Sequence, residues 1–535
     1  MKFFQNPKIE KALIISFVLF CLLGFFYRFY HVTENSFYFY DEGYYLNFNL
    51  QLVKLIALHP PADFTEFLKE FYALVRASLG TGKAFWFLLV DSRVFWGWQD
   101  HWFFPRLISA VAGVLTFFVL FLFTEKYFQS RWAAWMAVAL LAALPGHVFY
   151  SRLAIQESLC TLLFLTGFYF YVFPRKFGWR TFLSAFFLSC AYFTNYRLMV
   201  LPLIVAVCEG CQSFSLKEWP DYRKYIWHFL TFVSLGLLIG CADRGQNLYM
   251  IYSWGFHQGG MAKEAFDPIN FLSYPYYLFR LEGILFALCF FANGYWLLKR
   301  QWHKTLPFVI MGCLMAGFSL AGEKGARYMA VGLPLAVAAV AGLIYDLYNA
   351  QTINSKRMAV CLLFVLIIAE FLPKTLSIVQ TKTDYRESYD YIRGLDSAAG
   401  ILSSQNYVQN LYAQNPRQVL NLPYGFDKLK ELYAKGYRYM VIDPQAYVSY
   451  TQDDRRFETK LKDYLGFIRE NIAPIKSFEH FDGVTLDRFT MEHNENLRRS
   501  IKFLSRGDEF RQLYVYDLKE CITIILNRLS VLDKT

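Results

Sequence analysis

Long apolar runs fill most of the first 380 residues and decide what this chain can fold into. A helical run of roughly twenty apolar residues matches the hydrocarbon thickness of a bilayer. Only 18% of the residues are charged, whereas soluble proteins carry about 25%, so water cannot be the solvent for the whole chain. The sequence therefore predicts a polytopic α-helical membrane protein. The runs lie near residues 11–29, 107–123, 132–149, 153–173, 226–241, 277–297, 306–322, 328–346 and 358–375.

The basic connections between these runs predict their orientation. The apolar stretch 179–208 is interrupted by the polar residues 194–197, which leaves a short piece on either side. With the N-terminus inside, the basic segments 174–180 and 298–304 both face the cytoplasm only if this stretch crosses the membrane twice. The prediction is then about eleven transmembrane helices, a cytoplasmic N-terminus and an extracytoplasmic segment after about residue 376. The net charge of +11 reflects this topology rather than a nucleic-acid surface.

The loop 31–106 between the first two runs is predicted to hold interfacial amphipathic helices. Apolar residues recur at helical spacing from Phe64 to Leu79, with polar residues such as Glu66 and Lys69 on the other face. Such a helix can lie flat in the membrane interface, or it can pack on the protein's own core. The stripe alone does not distinguish these alternatives.

The composition after residue 380 is that of a soluble domain. Helical and strand-like patterns alternate between residues 379 and 490, which predicts a small extracytoplasmic α/β domain. Asp482-Gly483 between two strand-like runs predicts a hairpin. Residues 491–535 are predicted to form a charged helical tail of unknown role. The transmembrane catalytic domain is correspondingly expected over residues 1–378.

A pair of acids lies shortly after the first run. Asp41 and Glu42 stand between aromatic residues in FYDEGYY, near the expected membrane surface. Two adjacent carboxylates can supply a general base and a neighbour that orients it or binds a metal ion. A solvated surface turn is the alternative interpretation.

Cations are also predicted at the same face of the membrane. They are Lys83, Arg152, Lys324 and Arg327, accompanied by Glu157 and Tyr328. Arginine and lysine next to an acid suit transfer from a phosphate-bearing lipid, because the cations bind the phosphate while a carboxylate activates the acceptor. For each cation taken singly, an outer-loop charge or an anchor for lipid headgroups is an alternative.

The ordered set of motifs resembles one family of membrane enzymes. FYDEGYY, FPRLISAVAGVLTFFVLFLFTEKYF, AALPGHVFYSRLAIQESLCTLLFL and EKGARYMAVGLPLAVAAVAGL follow one another along the chain. This order resembles the GT-C membrane glycosyltransferases of the protein mannosyltransferase / aminoarabinose transferase superfamily. The later segment with GYRYMVID resembles the extracytoplasmic domain that many members carry, so the resemblance covers about residues 1–490.

The resemblance implies roles for particular residues. Asp41 matches the family's catalytic aspartate and Glu42 its partner. Glu157 stands where the family usually has an aspartate after a Ser-Arg pair. Lys324, Arg327 and Tyr328 fall on the region whose cations contact the lipid phosphate. Lys83 lies near a Lys-Pro-Pro site of the family, although Ala84-Phe85 replaces the prolines here and His59-Pro60-Pro61 is an alternative alignment.

The activity implied is transfer of a sugar from a polyprenyl-phosphate carrier to an acceptor hydroxyl, with inversion, at the outer membrane face. The acceptor class stays open between protein, lipid and glycan. Asp41 and Glu157 can bind a divalent metal ion or work without one, so metal dependence also stays open. A polytopic transporter or lipid flippase is the alternative function, and a membrane scaffold is a third. A transporter usually has two similar halves and charges at mid-membrane, whereas this sequence shows no internal repeat and few mid-membrane charges, and its acids cluster on one face.

Overall fold

A computed structural model describes most of the chain. The described residues are 7–32, 40–58, 63–92, 103–173, 177–216, 221–246, 249, 268–320, 325–351, 353–380, 383–413, 418–423, 426–443, 460–479 and 512–532.

Helices dominate the part of the chain before residue 381. Shorter π and 3₁₀ segments occupy Lys54–Leu58, Tyr196–Val200, Trp302–Thr305 and Ala326–Gly332. The α-helices are α1 (Pro7–Phe29), α2 (Tyr40–Val53), α3 (Phe64–Leu79), α4 (Ala84–Asp91), α5 (Phe103–Phe128), α6 (Arg131–Ala143), α7 (Pro145–Ser151), α8 (Glu157–Val172), α9 (Trp179–Thr194), α10 (Leu201–Leu216), α11 (Tyr222–Asp243), α12 (Pro268–Glu282), α13 (Ile284–Leu298), α14 (Leu306–Ser319), α15 (Leu333–Ala350) and α16 (Asn354–Gln380).

Several of these helices are built to cross a bilayer. Within the described ranges, four are long and apolar enough to span by length and composition, and the bent pair α6–α7 makes a fifth if it counts as one span. The four are Phe103–Phe128, Tyr222–Ala242, Ala326–Ala350 and Ser355–Gln380. Shorter apolar helices such as Glu157–Val172 lie among them. The chain is therefore an integral membrane protein, while the count of about eleven spans stays a prediction.

Close helix packing depends on small residues at contact points. A Cβ at Gly342 of α15 would lie 2.4 Å from the Phe128 ring of α5, and one at Gly167 of α8 would lie 2.8 Å from Leu188 of α9. Small residues let helices approach closely in a bilayer, where the hydrophobic effect contributes little to helix association and close packing matters more. These glycines therefore set the spacing around α5 and α8.

The predicted amphipathic helix is present as α3. Asp63 caps it, since its side chain accepts a hydrogen bond from the backbone N–H of Thr65 at 2.9 Å. Phe71 and Leu74 pack beside a small apolar cluster, whereas Phe64 is 71% exposed. The C-terminal half of the stripe therefore packs on the protein, and the N-terminal end is free to meet a membrane surface.

The predicted polar interruption near residue 195 is confirmed as a helix break. α9 ends at Thr194, and the 3₁₀ segment Tyr196–Val200 begins after Asn195. The Asn195 side chain accepts from the backbone N–H of Arg197 at 3.2 Å. Asn195 thus ends one helix and caps the next, which presents Tyr196 and Arg197 on a fixed turn.

The described chain divides into two compact units. The first unit contains residues 1–32, 51–322 and 326–380. The second unit contains residues 33–50, 323–325 and 381–535. The N-terminal part of α2, with Asp41 and Glu42, therefore belongs to the same unit as the C-terminal residues rather than to the helices around it in sequence.

The second unit contains a five-stranded sheet with the order β2-β1-β3-β5-β4. Strand β1 pairs in parallel with β2 and β3, whereas β5 runs antiparallel to β3 and β4. Leu402, Met440, Leu465, Ile468 and Tyr516 are among the buried residues of its core. The elements are α17 (Tyr385–Leu395), β1 (Gly400–Ser403), α18 (Asn406–Asn410), β2 (Val419–Asn421), α19 (Phe426–Ala434), β3 (Tyr437–Ile442), α20 (Lys460–Asn471), β4 (Lys476–Glu479), β5 (Gln512–Asp517) and α21 (Leu518–Leu532).

The C-terminal segment differs from the predicted helical tail. Gln512–Asp517 forms β5, and only Leu518–Leu532 is helical. The physical reason is the alternation in QLYVYD, in which Leu513 and Val515 are fully buried two residues apart. β4 pairs with β5, whereas the predicted hairpin at Asp482-Gly483, with its second strand near residues 484–489, lies outside the described residues.

Candidate functional site

A buried ion pair joins Glu157 to Arg327 in the first unit. Glu157 begins α8 and Arg327 lies in the 3₁₀ segment Ala326–Gly332, and their side chains are 1% and 0% exposed. Arg327 Nε lies 3.8 Å from Glu157 Oε1, which also accepts from Gln156 Nε2 at 3.2 Å. Charges inside a helix bundle are costly unless paired, so such groups are rarely incidental.

A second arginine approaches the same place across an aromatic ring. The Arg197 guanidinium carbon lies 4.1 Å from the centre of the Tyr328 ring, and that of Arg327 lies 5.3 Å from it. The ring face attracts each cation. We call Glu157, Arg197, Arg327 and Tyr328 the arginine cluster. With two cations and one anion it has a formal charge of +1, which suits an anionic ligand.

The loop that carries Lys83 lies against this cluster. Gly82 adopts φ +79°, and a Cβ there would lie 2.7 Å from the Tyr196 ring, next to Arg197. Lys83 follows directly at the start of α4 and is only 8% exposed. The glycine is needed both for its backbone conformation and for the close approach to Tyr196. The structure thus brings the predicted Lys83 segment to the turn of Arg197.

The structure places Arg152 at the end of α1. Its Nη1 donates to the carbonyl oxygens of Tyr27 at 2.6 Å and of Tyr30 at 2.9 Å. Nearby in sequence, the carbonyl of Val32 accepts from Arg106 Nη1 at 2.5 Å. Carbonyls at a helix C-terminus lack helical partners and carry partial negative charge, so cations stabilise them. A phosphate at Arg152 would have to compete with these bonds.

The sequence motifs did not single out Arg28 and His147. Arg28 is fully buried and donates to the carbonyls of Leu141 and Ala142, both at 3.2 Å, and to His147 Nδ1 at 2.7 Å. Pro145 has no N–H, so the end of α6 needs other donors where it bends by 62° into α7. The signal in the sequence is an arginine in the first apolar run together with a proline in the third.

Asp41 and Glu42 occupy the first turn of α2 in the second unit. Glu42 is completely buried and Asp41 is half-buried. Acids in a first turn are favoured by the partial positive charge of the helix N-terminus. Burial, together with the nearby Tyr407 and Asp41, raises the pKa of the Tyr44 phenol. The acid pair of the sequence motif is therefore held in a helix and is not a fully solvated turn.

The helix α18 holds α2 in place. Asn47 Nδ2 donates to the carbonyl of Tyr407 at 2.8 Å, and the rings of Tyr44 and Tyr407 meet edge to face at 5.0 Å. A Cβ at Gly43 would lie 2.8 Å from the backbone nitrogen of Val408. Glycine at this position lets the two backbones touch just after the acid pair.

The predicted site residues therefore fall into two groups. Glu157, Arg327 and Tyr328 come together in the first unit, with the Lys83 loop beside Arg197, whereas Asp41 and Glu42 lie in the second. Lys324 and His59-Pro60-Pro61 lie outside the described residues. Across the part of the chain that is described, no group of three or more His, Cys, Asp or Glu side chains could hold a metal ion.

Comparison with known proteins connects this architecture to a family. Residues 18–240 match the family model "Dolichyl-phosphate-mannose-protein mannosyltransferase". The apo oligosaccharyltransferase of Archaeoglobus fulgidus has a similar structure, with a TM-score of 0.50 at 11% identity, covering 81% of this chain and 70% of that chain. The same enzyme tethered to an acceptor peptide gives 0.50 at 11% identity, covering 84% and 70%.

ArnT from Cupriavidus metallidurans bound to undecaprenyl phosphate gives a TM-score of 0.49 at 11% identity, covering 95% of this chain and 98% of that chain. No curated protein sequence matches the chain. The resemblance indicated by the sequence motifs is confirmed by the family model, and the fold is similar to that of the archaeal oligosaccharyltransferase. Residues 18–240 are accordingly similar to a dolichyl-phosphate-mannose-protein mannosyltransferase domain.

Proposed function

We propose that the protein is an inverting glycosyltransferase that moves a sugar from a polyprenyl-phosphate carrier to an acceptor hydroxyl at the outer membrane face. The observation that carries this proposal is the arginine cluster, in which the buried Glu157–Arg327 pair and the partly buried Arg197 offer fixed cations within a membrane domain similar to the matching family. The description of that family names a dolichyl-phosphate-linked mannose as the donor and a protein as the acceptor. The donor in that name is a phosphate-bearing lipid, which suits the cations of the arginine cluster.

The arginine cluster would bind the carrier phosphate. Guanidinium groups form paired hydrogen bonds with phosphate oxygens, and Arg197 is only partly buried, so its donors can reach a ligand. Glu157 restrains Arg327 at 3.8 Å and limits its rotation. Lys83 and Lys324 are the further cations proposed for this phosphate, and Arg152 has a positioning role at the end of α1. The phosphate leaves without protonation because these cations stabilise it as an anion.

Asp41 would act as the general base. It removes the proton from the acceptor hydroxyl while the oxygen attacks the anomeric carbon, and the bond from that carbon to the phosphate oxygen breaks. A single displacement of this kind inverts the anomeric configuration. Glu42, completely buried one residue later, would help to orient the base.

The residues present fit a divalent metal ion poorly. Glu157 faces the Arg327 guanidinium, and a carboxylate paired with a cation is a weaker metal ligand than one grouped with other acids. The proposed mechanism accordingly has no step that passes through a metal ion. The cytoplasmic N-terminus and the extracytoplasmic C-terminal domain remain part of the proposal, supported by the basic connections in the sequence.

The test uses the full-length protein with radiolabelled polyprenyl-phosphate sugars. Asp41→Asn is expected to lower the transfer rate by about 10²–10⁴-fold, the usual contribution of a general base. The control is Asp390→Asn, because Asp390 is 67% exposed on α17 in a surface pair with Arg386. Transfer by Asp41→Asn at the wild-type rate would exclude the mechanism. Mass spectrometry of the co-purifying lipid identifies the donor independently.

A further inference from the structure

The carboxyl ends of the parallel strands β1, β2 and β3 lie together at one end of the sheet in the second unit. The chain leaves β1 for β2 on one side and then returns past β1 to β3 on the other, so the strand order reverses between β1 and β3. Open α/β sheets bind their ligands outside the carboxyl ends of strands at such a point. Here Ser404 Oγ accepts from the backbone N–H of Asp443 at 3.0 Å, while Tyr385 OH donates to Asp443 Oδ2 at 2.6 Å.

Amide side chains are concentrated at this edge. Gln405, Asn406, Gln409 and Asn410 lie on or beside α18. Within the described residues, Asn406 Oδ1, Gln409 Oε1 and Asn410 Oδ1 are buried and accept no hydrogen bond. Gln409 is completely buried, and its Nε2 donates to Ser388 Oγ at 3.0 Å. Buried polar atoms are almost always paired, so three such oxygens on one short helix point to donors supplied by a ligand.

The same short helix touches the segment of the proposed base. Tyr407 and Val408 contact α2 at Tyr44 and Gly43. Asp41 lies three residues before Tyr44, on the same side of the helix, and like Tyr407 it is close enough to raise the pKa of the Tyr44 phenol. Asn406 and Asn410 are four residues apart and share one helix face, with Tyr407 beside them. The amides and the carboxylate therefore belong to one neighbourhood within the second unit.

We propose that α18, with Gln405 and the Tyr407 ring, forms a sugar-binding surface beside Asp41, in which the amide oxygens accept hydrogen bonds from sugar hydroxyls. This inference rests on the proposed function, because that function gives Asp41 its role. Amides donate and accept without carrying charge, which matches neutral hydroxyl groups. The phosphate, by contrast, suits the cations of the arginine cluster. The hydroxyls can belong to the donor sugar or to a carbohydrate acceptor.

Kinetics of the full-length protein distinguish these two sources. Asn410→Leu replaces the amide by two methyl groups on the same branched skeleton, and Asn471→Leu, at an exposed position of α20, is the matched control. With polyprenyl-phosphate mannose as the donor, Asn410→Leu is expected to raise KM about tenfold through one lost hydrogen bond while kcat changes less than about twofold. If Asn410→Leu raises the KM for polyprenyl-phosphate mannose in the hydrolysis reaction, in which water is the acceptor, the site binds the donor sugar. A rise only in the KM for methyl α-mannoside assigns it to the acceptor.

Hydrogen–deuterium exchange gives a readout that does not depend on turnover. Saturating methyl glycosides of mannose, glucose, galactose and arabinose are added to the wild-type protein, and slower exchange is expected across residues 403–411. The protection should be lost in Asn410→Leu and kept in Asn471→Leu. If the wild type is active yet no glycoside protects this segment and Asn410→Leu behaves as the control, the sugar-binding surface is excluded. If the wild type transfers no sugar but the segment is protected, the proposed function fails and the sugar site stands.

Discussion

Arg327 Nε lies 3.8 Å from Glu157 Oε1, and each side chain is almost completely inaccessible. This relationship joins the start of α8 to the 3₁₀ segment before α15, two elements far apart in sequence. Each charge has lost its hydration and depends on its partner for compensation.

The first prediction follows from that dependence. Glu157→Gln should destabilise the protein by about 3–5 kcal/mol, because it leaves a buried guanidinium without its counter-charge. Adding Arg327→Met should restore part of the stability but none of the sugar transfer. Thermal unfolding in detergent and the transfer assay measure the two effects.

The control is Glu125→Gln in the surface pair with Arg131, whose side chains are 32% and 79% exposed. It should change stability by less than about 1 kcal/mol. A double variant that is less stable than Glu157→Gln alone would contradict the dependence of each charge on the other.

The second prediction separates Arg152 from Arg197. Arg152→Lys should lower stability by about 1–3 kcal/mol, because an ammonium group cannot reproduce the guanidinium bonds to two carbonyls. Its donor KM should stay near that of the wild type. Arg197→Lys should show the reverse, with a donor KM raised about tenfold and nearly unchanged stability. If instead Arg152→Lys raised KM without loss of stability, Arg152 would be a phosphate ligand.

The third prediction concerns the contact between α2 and α18. Gly43→Ala places a methyl group 2.8 Å from a backbone nitrogen that cannot rotate away, so we expect a loss of about 1–3 kcal/mol and a fall in activity. Gly394→Ala is the control, since Gly394 lies in helix α17 with nothing within 4 Å of its added Cβ. That change should be neutral or stabilising by up to about 1 kcal/mol. Full activity in Gly43→Ala would show that the contact does not position Asp41.

The fourth prediction is a pH dependence on the surface of the second unit. Lys428 and Lys435, each 2.6 Å from the Glu431 carboxylate, lower its pKa from 4.5 to about 2. A depressed pKa stabilises the fold above the unfolded value, and this stabilisation disappears as the pH falls through the folded value. The Tm difference between wild type and Glu431→Gln should therefore be present at pH 7 and shrink between about pH 4.5 and 2. The effect is small because the group is exposed, and Glu470→Gln on α20 controls for loss of a surface charge. A difference that grew in acid would contradict the assignment.

The membrane part of the fold follows from local patterns in the sequence. An apolar run long enough to cross a bilayer can satisfy its own backbone hydrogen bonds there only as a helix. The helices Phe103–Phe128 and Ser355–Gln380 were therefore predictable. Asn195 was readable as a break because a polar tip interrupts an otherwise apolar stretch. The short helix α7 was not, since its bend depends on how Arg28 satisfies the carbonyls of α6.

The site was predictable as a set of residue types but not as an arrangement. Glu157 and Arg327 stood out as charges near membrane helices, yet their pairing is a contact across a long sequence separation. The grouping of residues 33–50 with residues after 380 has no local signature at all. The prediction of a helical tail is wrong at strand β5, because the alternation there spans only six residues beside the longer helix α21.

The bond between Asn47 and the carbonyl of Tyr407 spans 360 residues of sequence and also sets an order of events during biosynthesis. The α2 segment is made early, but the helix that receives it exists only after the membrane helices up to α16 have been synthesised. The sheet that supports α18 waits longer still, because β5 must be inserted between β3 and β4. A partly synthesised chain can therefore already be embedded in the bilayer while its acid pair has no docking partner. Under the proposed function, the protein would become competent toward a lipid-linked sugar only once its last strand had been made.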